Sequence, residues 1–171
     1  MIRICGCSIA GLKVAMELVR RGYDIEIREM KRLADIGQDI CGYALRMPEL
    51  TGLEFSKENG FMNRIDKIVL HAIDEGEMEI KIEQMAYMIN RPVLEKKMLN
   101  KILFMGDSGV NVKLIGERLC REEDMLRMGG IVVDARGFIP RQAIRDYKKL
   151  IIAYRGLYRI EESVPRYVTL H

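Results

Sequence analysis

Apolar positions recur along this chain with two periods, and the switches between them mark out its elements. Met1-Ile2-Arg3-Ile4-Cys5 reads as a buried β-strand. Leu12, Ala15, Met16 and Val19 follow at i, i+3, i+4 and i+7, one face of a helix that closes on Arg20-Arg21-Gly22. Tyr23 to Glu29 alternates apolar and polar side chains, which predicts a second strand ending on an acid. Met30 to Asn63 reads as irregular. Lys67 to Ile73 and Met78 to Ile82 predict strands joined by the hairpin signal Asp74-Glu75-Gly76-Glu77. A further strand, Ala86 to Ile89, leads to Asn90-Arg91-Pro92, after which Leu94, Met98 and Ile102 recur at helical spacing. Asn111 to Ile115 and Ile131 to Val133 are apolar enough to be central strands of a parallel sheet. The order β-α-β, antiparallel insertion, α-β, β predicts an α/β, Rossmann-like, doubly wound domain interrupted by a small antiparallel sheet. The domain spans residues 1–149 with its insertion at about 64–89.

Between the first strand and the first helix stands Gly6-Cys7-Ser8-Ile9-Ala10-Gly11. A turn with so little side-chain bulk lets phosphates approach backbone N–H groups at a helix N-terminus, where the dipole favours negative charge. The dinucleotide fingerprint is G-x-G-x-x-G, and here Ser8 replaces the second glycine. Its hydroxyl leaves room for a phosphate and can donate to a phosphate oxygen. Glu29 follows about 20 residues on, where a carboxylate can accept both hydroxyls of an adenosine ribose. A 2′-phosphate there would meet a like charge, so the adenosine end belongs to FAD or NAD rather than NADP. The competing reading of Glu29 is a solvated charge at a strand end.

Length and charge narrow the classes. The 171 residues allow one domain with a real core, or one and a fraction. A net charge of +3, with basic residues that do not cluster with aromatics, gives no footprint for nucleic acid. No apolar run reaches about 18 residues, so no transmembrane helix is expected. The chain enters its first strand without a signal-peptide profile, which makes a cytoplasmic setting the expectation. Cys5 and Cys7 share a C-x-C spacing, but His71 and His171 stand apart from them and from Cys41 and Cys120. Small buried thiols are expected, and no metal site.

Gly6 to Gly11, Glu29, Cys41-Gly42, the run Tyr87-Met88-Ile89-Asn90-Arg91, and Val132-Val133-Asp134-Ala135-Arg136-Gly137 stand in an order that is itself informative. Together they resemble the N-terminal half of the geranylgeranyl reductase family of FAD-dependent oxidoreductases, within the wider group of flavoproteins built like aromatic hydroxylases. The resemblance covers nearly the whole chain, and the reductase branch rests on Cys41-Gly42 and the Tyr-x-x-x-Arg run. It implies that Gly6, Ser8, Ala10 and Gly11 hold the FAD pyrophosphate and Glu29 the adenosine ribose. Cys41 and Gly42 match the element beside the flavin, with Arg46 just beyond; a free cysteine usually behaves as a small hydrophobe, so packing is the expectation for Cys41 and a redox partnership with the flavin the alternative. Arg91 matches the arginine that starts a helix and reaches back to the cofactor; a cation at a helix start opposes the dipole, so a nearby anion is expected. Leu119 matches a strand whose backbone reads the adenine edge. Asp134 and Gly137 match a second fingerprint, normally Asp-Ala-Asp-Gly or Asp-Ala-Thr-Gly, from which Arg136 departs.

The family's further Gly-Asp motif has no counterpart, since Gly106-Asp107 lies in the turn signal Met105-Gly106-Asp107-Ser108-Gly109. Residues 150–171 fall where the family's large substrate sheet begins, so the resemblance implies half an enzyme, with no catalytic residue to name. The implied substrate is an isoprenoid lipid or diphosphate whose carbon–carbon double bonds accept hydride from reduced flavin. The alternative is a truncated or split FAD- or NAD-binding module that catalyses nothing alone. An NAD-dependent dehydrogenase domain would leave Tyr87 to Arg91 and the Asp134 fingerprint without a role. Half a sheet exposes an open edge and an apolar face, so self-association or a second polypeptide completing the sheet is expected. Lys148, Lys149 and Arg155 admit peripheral contact with anionic lipid head groups, although charged loop residues ordinarily face water.

Overall fold

Two sheets, one parallel and one largely antiparallel, organise the computed structural model, which describes residues 1–36, 42–72, 76–107, 109–117, 125, 127–136 and 167–170. The chain divides into two units, residues 1–34 with 102–158 and residues 35–101 with 159–171.

In the first unit, β1 (Ile2–Cys5), β2 (Ile25–Arg28), β6 (Val112–Ile115) and β7 (Val132–Asp134) pair in parallel in the order β6-β2-β1-β7. Their period-two alternation sorts the residues between two faces. Ile4, Ile25 and Ile27 are fully buried on one of them. The helix α1 (Ile9–Arg20) buries Leu12, Ala15, Met16 and Val19, the stripe that the sequence spacing predicts. The expected helix–strand alternation is therefore present. β6 and β7, expected at the centre, are instead the outer strands among the described residues.

The other face carries charge. The register aligns Arg3, Glu26 and Lys113 across three strands. The buried Glu26 carboxylate accepts from Arg28 Nε at 2.6 Å and lies 3.7 Å from both Arg3 Nε and Lys113 Nζ. Three cations around one carboxylate allow its burial, which an unpaired charge would forbid.

The second unit is a four-stranded sheet in the order β3-β5-β4-β8. β3 (Gly42–Arg46) lies in the segment expected to be irregular; five residues are too few for alternation to stand out, and its pairing with β5 supplies what periodicity does not. β4 (Phe61–Ala72) and β5 (Gly76–Asn90) form the predicted antiparallel pair. The two strands expected at Met78 to Ile82 and Ala86 to Ile89 are one strand of 15 residues. A register shift opposite Ile65 and Lys67 absorbs the irregular stretch between them. β8 (Tyr167–Leu170) runs parallel to β4. Phe55, Phe61 and Tyr87 meet with ring centroids 5.2–5.7 Å apart, with Phe61 buried, Tyr87 half-buried and Phe55 exposed. α2 (Arg91–Gly106) follows β5 directly and buries Leu94, Met98 and Ile102 as its spacing predicts. No described helix is long and apolar enough to cross a membrane.

Candidate functional site

The loop after β1 is built by close backbone approach. Gly6 has φ +108°, a conformation that L side chains rarely adopt, and a Cβ there would overlap the Ala135 carbonyl oxygen. A Cβ on Gly11 would overlap the Gly6 carbonyl oxygen. Two glycines thus let the first turn of α1 fold onto the loop and let the loop lie against the turn after β7. Strand-end hydrogen bonds hold both flanks: Gly6 N–H donates to Arg28 O at 2.8 Å, and Ala135 N–H to Cys5 O at 2.8 Å.

Ser8 is the N-cap of α1 and makes no side-chain capping bond. Its hydroxyl donates to Ala135 O at 3.3 Å, so the expected phosphate donor has a carbonyl partner that it can exchange. The first turn of α1 contains no acid, so no side chain of the helix itself offsets the positive end of its dipole. Ala10 lies in that first turn.

Glu29 follows β2. One carboxylate oxygen accepts Cys7 N–H at 2.7 Å and the other accepts Lys31 N–H at 3.1 Å. The residue expected to bind ribose therefore also fixes the loop after β1, and each oxygen keeps a lone pair for a further donor. Sequence spacing placed Glu29 but gave no sign of its bond to Cys7.

Asp134 ends β7 in register with Cys5, which puts its backbone beside the entrance to the loop. Arg136 folds back on it. The guanidinium donates from Nε to Oδ1 at 2.8 Å and from Nη2 to Oδ2 at 2.7 Å, and Arg136 N–H donates to Oδ1 at 3.2 Å. This fork holds the Asp134 carboxyl below its ordinary pKa of 3.8.

The remaining candidates lie in the second unit or outside the described residues. Gly42 opens β3 opposite Asn90, and Arg46 closes it opposite Ala86. Arg91 is the first residue of α2, and its Nε donates to the buried Glu95 at 2.6 Å. An anion thus stands beside this cation, one helical turn along α2. The i, i+4 spacing of Arg91 and Glu95 carried that signal in the sequence. Cys41, Leu119 and Gly137 lie outside the described residues. The structure brings Gly6, Ser8, Ala10, Gly11, Glu29 and Asp134 together around one loop in the first unit.

The chain matches no family model and no curated protein. Its fold is similar to that of a geranylgeranyl bacteriochlorophyll reductase-like protein from Thermoplasma acidophilum. The TM-score is 0.51 and the identity 16%, over 66% of this chain and 29% of that one. It is similar too to PqsL, a probable FAD-dependent monooxygenase from Pseudomonas aeruginosa. There the TM-score is 0.53 and the identity 20%, over 71% of this chain and 35% of the other. The chain thus shares its fold with parts of these two proteins. The match spans 29% and 35% of the lengths of these two flavoprotein-fold chains, well under the whole of either.

Proposed function

We propose that this chain is the FAD-binding part of an oxidoreductase of the geranylgeranyl reductase type. The observation that carries the proposal is the loop from Gly6 to Gly11, with its two crowded glycines, uncapped helix start and Glu29 bonded to Cys7 N–H. These residues fit a dinucleotide. The α1 start would hold the pyrophosphate and Glu29 the adenosine ribose. Bound flavin, in its reduced form, would supply hydride transfer to carbon–carbon double bonds of an isoprenoid chain on a lipid or diphosphate. The chain's own residues bind and orient; none is assigned to proton transfer.

Because the candidate residues gathered around the first-unit loop all serve binding, the second reading is a FAD- or NAD-binding module that catalyses nothing alone. Under either reading the chain works in the cytoplasm with a second polypeptide or a second copy. Met62, Met78, Ile80 and Met85 are exposed in the antiparallel unit and support that view. Titration of purified protein with FAD and with NADH tests the proposal. Saturable FAD binding without NADH binding supports it, and NADH binding with no flavin binding overturns it.

A further inference from the structure

The loop is flanked by two carboxylates. Glu29 reaches it through Cys7 N–H at 2.7 Å, and Asp134 stands in register with the residue before it. A site meant for a pyrophosphate gains nothing from two fixed negative charges, because like charges raise the cost of bringing in a third. Arg136 is the group that changes this balance. Its backbone nitrogen lies 2.9 Å from where a Gly6 Cβ would stand, so it abuts the first residue of the loop. Its neighbour Ala135 accepts the Ser8 hydroxyl. Its guanidinium, one-fifth exposed, is held by the Asp134 carboxylate, which is itself half exposed. The position is also where the sequence departs from the second fingerprint, with a cation in place of an acid or a threonine.

Resting on the FAD-binding reading, we infer that Arg136 is a phosphate-binding residue of this site, exchanging Asp134 for a ligand phosphate when a diphosphate enters the loop. A guanidinium suits this exchange, since its planar fork matches carboxylate and phosphate alike. The inference makes diphosphate affinity depend on one side chain beyond the glycine loop, and it gives Asp134 and Arg136 opposite effects. Asp134 competes with the ligand for the guanidinium, so losing its charge helps the ligand; losing Arg136 hurts it.

The test is calorimetric titration of wild type, Arg136→Thr, Arg136→Lys and Asp134→Asn with FAD and with ADP, at two salt concentrations, alongside the melting temperature of each. Arg136→Thr should bind FAD and ADP about tenfold more weakly or worse, with a shallower salt dependence. Arg136→Lys should recover part of that loss, and Asp134→Asn should bind ADP more tightly than wild type. Weakening by Arg136→Thr and Asp134→Asn alike would mean that the fork only shapes the turn, and would overturn the inference. So would an Arg136→Thr protein that binds both ligands as wild type does. Wild type that binds neither FAD nor ADP would instead defeat the FAD-binding reading, and the inference with it.

Discussion

The parallel and antiparallel units hold their candidate binding residues by different means. Around the loop of the parallel unit, backbone meets backbone. Gly6 faces the Ala135 carbonyl, Gly11 faces the Gly6 carbonyl, and Glu29 caps a main-chain N–H. In the antiparallel unit the charged candidates use side chains, as Arg91 does on Glu95. A backbone contact has no rotamer through which to escape, whereas a side chain can be rearranged. The first arrangement should therefore fail abruptly under substitution, and the second by degrees.

Gly11→Val is the sharpest way to break the comparison. The added carbons would displace the Gly6 carbonyl, so FAD binding should be abolished and stability should fall by about 1–3 kcal/mol. Chemical denaturation and flavin fluorescence measure the two effects. A variant that binds FAD normally would place the pyrophosphate elsewhere.

Glu29→Ala comes next. It leaves Cys7 N–H without the Glu29 carboxylate and, on the proposed reading, removes charge-assisted bonds to the ribose. Binding of FAD should weaken by about 1.5–3 kcal/mol. If affinity does not change, Glu29 belongs to the loop's structure alone.

Arg91→Ala probes the other unit. Without the guanidinium, the buried Glu95 loses a partner at 2.6 Å, and stability should drop by about 1–2 kcal/mol. Glu95→Gln should lose less, since an amide tolerates burial better than an unpaired carboxylate. Arg91→Ala that weakens FAD binding at unchanged stability would shift its role from the helix to the cofactor.

The smallest effect concerns pH. Arg136 depresses the folded-state pKa of Asp134, so the stabilisation is present above the ordinary value of 3.8 and is lost as pH falls through the lowered one. Asp134 is half exposed, and solvent screens the pair, so the loss should be slight. Arg136→Thr should flatten this part of the acid-denaturation profile.

Much of the parallel unit was legible because its signals are local. The Leu12 to Val19 stripe, the glycine spacing and the acid at Glu29 each lie within one element or its flank. What was missed depends on neighbours distant in sequence. β3 takes its strand character from β5, and the outer positions of β6 and β7 follow from pairing order, which hydropathy does not record. The Glu26 cluster unites residues of three strands whose alternation looks ordinary one strand at a time. The contact of Ala135 with both Gly6 and Ser8 likewise joins positions more than a hundred residues apart.

The central claim is that the loop and Glu29 bind a flavin through its adenosine diphosphate half. Its most direct test is a titration of the purified chain with FAD and, separately, with riboflavin, which carries the same ring system and no adenosine diphosphate. Saturable binding of FAD with little or no binding of riboflavin is the predicted result. Equal affinity for the two, or binding of neither, would contradict the account.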